Sequence, residues 1–370
     1  MQGLAIWAHS YCRSTLAFFR ELGETFGVPL KLFVWKLNAQ LRTRVGFSEE
    51  EFNDMDITYV GDDYAFSLSN LDKYKHYHQI FGAYQSVSIY QKLIIEAKNK
   101  GCNVGICSEA PCNMTSGYKR IFKDLYIRYV LPKKVNRQIE ASDFIINLSG
   151  DDNVPLERLG WSAEKIISCG YYSPRIEGTK IVKRDSTHWK NFVILLTGIH
   201  QWHRSPILLI EALIELKKEG LKPKCYITQN GPLLEDMKLL VEQNQLDNVE
   251  FLGFVELDTL KKLYETCSIY VGTGNYEPWG MRLNDVLQCG TPLIVNKGMG
   301  AHVLVEKYNC GITFDRGDSH GLARAIKKLM QDEKMYISVA DSAVSAATKI
   351  TPEHMSRVIA DKIHNSFKNW

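Results

Sequence analysis

Apolar residues fall into two kinds of run along this chain. Short continuous runs read as buried strands. In the first half these are Leu4 to Ala8, Leu30 to Trp35, Asn103 to Cys107, Phe144 to Ser149 and Lys165 to Ser168. In the second half they are Phe192 to Gly198, Lys224 to Thr228, Val249 to Phe254, Ser268 to Gly272 and Pro292 to Val295. Between them, apolar positions recur with helical period: Leu16 to Phe26 before Gly27, Ser86 to Ala97, Thr259 to Glu265, and Ile207, Leu208, Ile210, Leu213, Ile214 and Leu216 before Gly220. Ser205 is placed to cap that last helix, with Pro206 at its first position. Asn230-Gly231-Pro232-Leu233 turns into a further helix that runs to about Gln243.

Strands alternating with helices across short Gly-bearing loops predict an α/β fold with parallel, doubly wound sheets. Ligands of such sheets bind at the carboxyl ends of the strands. The loops opened by Gly198, Asn230, Gly253, Gly272 and Glu277 all follow strands, so they share that edge.

A chain of 370 residues is too long for one ordinary core and divides most simply in two. The polar, irregular stretch from Ser173 to Lys190 supplies the break. The expected division is 1–175, a linker at 176–190, 191–350, and a terminal helix over 351–370 that opens at Thr351-Pro352-Glu353. A net charge of +3 is too slight to argue for nucleic acid. Nine cysteines without a C-x-x-C pair point to a reducing, cytoplasmic setting. Cys102, Cys107 and Cys112 have no His or Cys cluster beside them, so no zinc site is expected. No apolar run is long enough to span a bilayer, and the opening Leu4-Ala5-Ile6-Trp7 reads as a strand rather than a signal peptide. No G-x-G-x-x-G follows a strand, which argues against a dehydrogenase.

The chemistry concentrates in Glu277-Pro278-Trp279-Gly280-Met281-Arg282-Leu283-Asn284-Asp285, followed by Cys289-Gly290-Thr291-Pro292. Two carboxylates stand eight positions apart, with a glycine turn and the start of a helix between them. Amides around Gly280 and Met281 at a helix start suit a phosphate. Carboxylates accept from adjacent sugar hydroxyls. The combination describes a pocket for a nucleotide sugar.

This region resembles the E-x7-E segment of the retaining glycosyltransferases of family 4, which have the GT-B fold: two facing Rossmann-like domains with an interdomain cleft. The resemblance is strong over about residues 190–330. It implies that Glu277 bonds the donor sugar and Asp285 the ribose. It also implies that the first domain holds the acceptor and that the last helix returns to it. Family members carry Gly-Arg and then a Lys after the strand; here Gly198-Ile199-His200-Gln201-Trp202-His203-Arg204 puts Arg204 at the Lys and Ile199 at the Arg. His200 and Arg282 are the candidates to replace that Arg. On the acceptor side, Ser108-Glu109-Ala110-Pro111 follows a strand and resembles the family loop that faces the donor, so Glu109 either orients or deprotonates the acceptor hydroxyl or caps the helix around Lys119–Val130; His9, after the first strand, is either an acceptor contact or a packed loop residue.

The implied reaction moves a sugar from a UDP- or GDP-sugar to a hydroxyl with retention, without a metal or other cofactor. The implied setting is bacterial surface polysaccharide assembly on a saccharide or lipid-linked acceptor. Other GT-B chemistries (an epimerase, an inverting transferase) and a non-catalytic nucleotide-sugar binder are the alternatives. A metal-dependent transferase using Asp54-Met55-Asp56 lacks the buried strand that should precede it. Finally, Tyr118 to Tyr129 mixes cations with aromatics at helical spacing. Its apolar stripe (Ile121, Phe122, Leu125, Tyr129) either packs on its own domain or meets an anionic membrane surface.

Overall fold

The computed structural model describes residues 2–36, 53–367 and 370. They form two compact units, one from Met1–Asn113, Tyr118–Pro174 and Thr351–Trp370, the other from Met114–Gly117 and Arg175–Ile350.

The first unit is built on seven parallel strands: β1 Leu4–Ala8, β2 Leu30–Val34, β3 Asp56–Tyr59, β4 His78–Phe81, β5 Val104–Ser108, β6 Phe144–Asn147 and β7 Ile166–Ser168. Their order is β3-β2-β1-β4-β5-β6-β7. Direction along the sheet reverses between β1 and β4, which is therefore a switch point. Strands β3 and β4, and the helix Tyr64–Lys73 between them, break the expected apolar pattern. In β4 the reason is Gln79, a fully buried polar residue. Its Oε1 accepts from the Trp7 indole at 2.9 Å, and its Nε2 donates to the carbonyls of Tyr74 and Tyr77. Satisfied in this way, an amide sits in a core without the cost of an orphaned polar group.

Asp54 pairs with Arg20 at 2.6 Å, and Asp56 pairs with Lys31. Both carboxylates of the Asp54-Met55-Asp56 triplet are thus tied to cations. Among the described residues no cluster of His, Cys, Asp or Glu is arranged to hold a metal. The helix Pro352–Ser366 belongs to this unit and packs on helix Arg13–Phe26, with the Ser356 hydroxyl donating to the Phe18 carbonyl.

One helical stretch departs from ordinary packing. Lys119–Leu125 is α-helical, Tyr126–Val130 is a π turn, and Leu131–Ala141 continues as α-helix. The last section buries Leu131, Val135 and Ile139, whereas Lys119–Val130 has no fully buried residue. Ile121, Phe122, Leu125 and Tyr129 are all exposed, so the stripe does not pack on its own unit.

The second unit has six parallel strands: β8 Val193–Leu196, β9 Lys224–Thr228, β10 Val249–Gly253, β11 Ile269–Gly272, β12 Leu293–Asn296 and β13 Gly311–Phe314. Their order, β10-β9-β8-β11-β12-β13, puts a switch point between β8 and β11. Residues 176–190 are part of this unit rather than a free connection. Asp185 caps the short helix Ser186–Lys190, and Arg184 is fully buried. The Arg184 guanidinium donates to the carbonyls of Val182, Tyr264, Cys267 and Cys289 and to the Thr291 hydroxyl. A guanidinium has five N–H groups, and here each has an acceptor.

Ser205 is not a helix cap. It has φ +47° and donates its hydroxyl to the Trp202 carbonyl, and helix Ile207–Lys218 starts after Pro206 instead. A 3-10 turn at Trp202–Arg204 takes up the residues before it.

Candidate functional site

The loops after β8 and β11 meet at the second switch point. Backbone amides of Asn275 and Tyr276 both donate to the His203 carbonyl, and the Thr273 hydroxyl donates to the Arg204 carbonyl at 2.7 Å. The loop after β12 closes the other side: Glu277 N–H donates to the Gly298 carbonyl and Gly300 N–H to that of Glu277. Asn275 and Asn296 support these turns from below. Asn296 Nδ2 reaches Asn275 Oδ1 at 2.8 Å, and that oxygen also accepts from Gly317 N–H. The backbone around Glu277 is therefore fixed before any ligand arrives.

The Glu277 side chain is 19% exposed and lies 3.5 Å from the Arg204 guanidinium. Gly280 has φ +102°, and a Cβ there would strike Met299 at 2.4 Å. Only glycine fits, and the space is used to seat Met299 beside the carboxylate. Burial pushes the Glu277 carboxyl above its ordinary range, and Arg204 and then Arg282 pull it partly back.

Two cations converge on Gly198. Its φ is +119°, and a Cβ there would stand 3.2 Å from Arg204 Nη1 and 3.5 Å from Arg282 Nε. Arg204 comes from the 3-10 turn and Arg282 from the first position of helix Arg282–Leu287. Arg204 Nε is buried and has no hydrogen-bond partner among the described residues. Like charges held together, with a buried donor unused, describe a place for an anion. The helix behind Met281 is only six residues long. Two whole guanidinium charges outweigh the roughly half charge of a helix end.

Asp285 lies one turn along from Arg282 and interacts electrostatically with it. Trp279 is buried and bonds Asn284 Oδ1 through its indole, which fixes the start of that helix.

His200 does not join this group. It is 1% exposed, its Nε2 is bonded to the Gln229 carbonyl, and its backbone packs on Gly231. Burial first, and then Arg204, hold it below the ordinary histidine range against the pull of that carbonyl bond. It is a brace for the loop, not a cation for a ligand. Of the two candidates for the missing Arg at 199, only Arg282 reaches Gly198.

Residues not singled out in the sequence complete the rim. The Trp202 and Tyr276 rings lie 5.4 Å apart, and Arg316 sits 4.8 Å from the Tyr276 ring. Trp202 also donates to the Met114 carbonyl. Their signal was available, since Gly274-Asn275-Tyr276 follows a strand, but aromatic residues in loops are common enough to hide it.

In the first unit, His9 and Glu109 follow β1 and β5 at the carboxyl edge of the sheet. His9 packs against Trp35 with rings 5.0 Å apart, and burial, then Lys36, hold it below the ordinary range. Tyr171 is hydrogen-bonded to the Glu109 side chain. Burial, and then the Glu109 charge, push the Tyr171 hydroxyl far up, so it stays a proton donor to that carboxylate. The Glu109 carbonyl is held by Gln85 Nε2 at 3.1 Å.

Residues 180–344 match the family described as Glycosyl transferases group 1. The match covers most of the second unit and less than half of the chain. An uncharacterised glycosyltransferase of Methanocaldococcus jannaschii is 28% identical over 38% of this chain. The matched stretch spans 36% of that relative's length. Two solved structures follow the chain through both units. The Anabaena protein HepE in complex with UDP covers 98% of this chain and 100% of its own, with TM-score 0.68 and 14% identity. The lipopolysaccharide outer core galactosyltransferase WaaB, in its apo form, covers 99% and 100%, with TM-score 0.67 and 13% identity. The chain thus has a two-unit GT-B fold.

Proposed function

We propose that this protein is a retaining glycosyltransferase that moves a sugar from a nucleoside diphosphate to an acceptor hydroxyl. The observation that carries the reading is the convergence of Arg204 and Arg282 on Gly198, beside the buried Glu277. In this reading the two guanidiniums take the diphosphate. Arg282 does the work that the family gives to an Arg at the position of Ile199. Glu277 accepts from hydroxyls of the donor sugar, and Asp285 accepts from the ribose. The sugar–phosphate bond breaks and the acceptor oxygen forms its bond to the same face of the sugar carbon. The acceptor proton passes to the departing diphosphate oxygen.

Glu109, held by Tyr171, orients the acceptor hydroxyl, and His9 lines the same sheet edge. Two guanidiniums supply the positive charge that a divalent metal gives in other transferases, so the reading is metal-independent. The family match and the UDP bound by the Anabaena neighbour support a nucleotide-sugar donor. The named role of the WaaB neighbour supports surface polysaccharide assembly; in this reading the acceptor is a saccharide or lipid-linked saccharide and the setting is cytoplasmic.

A thermal-shift panel of UDP, GDP and their common sugars tests the reading, because a ligand stabilises the native state in proportion to its affinity. The expected result is a rise with one nucleotide and its sugar, followed by acceptor-dependent transfer that is unchanged in EDTA. No shift with any nucleotide at millimolar concentration would refute it, as would release of free sugar at the same rate without an acceptor.

A further inference from the structure

We infer that the exposed helix Lys119–Val130 of the first unit is a docking face for an anionic lipid surface. This inference does not depend on the donor site. Ile121 and Phe122 are 65% and 67% exposed, and Tyr118, Leu125, Tyr129 and Val130 are exposed with them. Spacings of three and four residues put Tyr118, Ile121, Phe122 and Leu125 on one face. The π turn keeps the face going. Its hydrogen bonds run from residue i to i+5, as from Leu131 N–H to the Tyr126 carbonyl, which brings Val130 into line behind Leu125. Tyr126 turns in to touch the core of the unit, and Ile127 beside it is half-buried. Large apolar residues grouped on one exposed face mark a contact surface.

Charge selects the occupant. From Lys119 to Arg137 there are seven cations and one acid, and the acid, Asp124, is already held by Asn113 at 2.6 Å and lies 3.8 Å from Arg120. Lys119 and Lys123 are four positions apart and so share one flank of the helix, and the Lys123 ammonium lies 5.1 Å from the Tyr126 ring. Long basic side chains beside an exposed aromatic and aliphatic stripe suit the interface of an anionic bilayer, where the stripe enters the headgroup region and the ammonium groups meet phosphates. A second copy of this chain would oppose cations to cations, which disfavours self-association through this face.

The test is co-sedimentation of the full chain with phosphatidylcholine vesicles, with and without 30% phosphatidylglycerol as the probe composition (about a third anionic lipid). Binding to the anionic vesicles and little to the neutral ones is expected. At about 1 kcal/mol per cation, removing three charges in Lys119→Ser/Lys123→Ser/Arg128→Ser should weaken binding on the order of a hundredfold. The pair Ile121→Ser/Phe122→Ser should also abolish sedimentation at low vesicle concentration. These side chains are exposed, so both variants should keep the wild-type melting temperature. No binding by the wild type, equal binding to neutral vesicles, or binding unchanged in both variants overturns the inference. So does a dimer that Ile121→Ser/Phe122→Ser disperses in the absence of vesicle binding.

Discussion

Replacing Glu277 by Gln separates the chemistry of the site from its packing. The amide has the shape of the carboxylate, so the contacts around Gly274, Gly280 and Met299 are kept. The charge is lost, and with it the ability of both oxygens to accept from sugar hydroxyls. A buried, preorganised polar contact to the reacting group is worth about 2.7–4 kcal/mol in the transition state, so kcat should fall by roughly 10²–10³. Donor affinity should change much less, because in the proposed site the diphosphate is held by Arg204 and Arg282.

Stability should move the other way. Burial raises the Glu277 pKa, so the folded protein holds that proton more tightly than the unfolded chain does. The ionised form is therefore a burden on the fold at neutral pH, and the burden is relieved as pH falls through the folded pKa. Glu277→Gln should melt at or above the wild-type temperature at pH 7.5, with the difference closing in acid. Steady-state turnover with the donor found by thermal shift, together with melting curves at pH 7.5 and 5, is the assay. A kcat within threefold of wild type would refute the role given to the carboxylate. A lower melting temperature at pH 7.5 would refute the electrostatic account.

Three further outcomes follow from the geometry. Gly198→Ala places a methyl group against both guanidiniums on a backbone with φ +119°; it should cost about 1–3 kcal/mol of stability and raise the donor KM at least tenfold, and unchanged nucleotide binding by calorimetry would remove Gly198 from the site. Arg184→Met strips donors from four buried carbonyls, of which those of Val182 and Cys267 have no other donor among the described hydrogen bonds; urea unfolding should show a loss of about 3 kcal/mol, and a loss under 1 kcal/mol would contradict the account. Burial holds the His78 pKa down to about 4, so the unfolded chain takes up a proton there from about pH 6.5 and the folded one does not until about 4. Wild-type stability should fall through that window, and His78→Gln should flatten the fall in a pH series of melting curves; parallel series would refute it.

How much of this was legible depends on where polarity lies. The second unit could be read from apolar runs because β8, β9, β11 and β12 are buried strands ended by short polar or glycine-bearing turns. The first unit was less readable. β4 carries Gln79 in its middle, and β3 alternates over a half-exposed edge, so neither makes an apolar run. The stretch around Arg184 misled for the same reason in reverse. A polar segment looks solvated until five acceptors, four of them from distant parts of the chain, enclose its guanidinium, and the four that are backbone carbonyls leave no mark in the sequence.

The site itself divides along a similar line. Glu277 and Arg204 are visible as a motif because each is a charged residue just after a strand, where parallel topology leaves room for a ligand. The sequence could not choose between His200 and Arg282 as the second cation, because both are near in the chain to glycine turns and both can carry charge. Burial decides it. His200 is enclosed and bonded to the Gln229 carbonyl, and desolvation disfavours its charged form. Arg282 keeps its charge under any such burial, and it reaches Gly198 from a different loop, 84 positions away by number. In the proposed site the position that holds Ile199 can thus be apolar, because the sheet order brings β8 and β11 side by side. A cation that begins the helix after β11 then stands where one following β8 would. Arg282→Ile should for that reason weaken nucleotide binding at least as much as Arg204→Lys does, measured by calorimetry with the same nucleotide. Binding unchanged in Arg282→Ile would show that the missing charge at 199 has not been replaced from this helix.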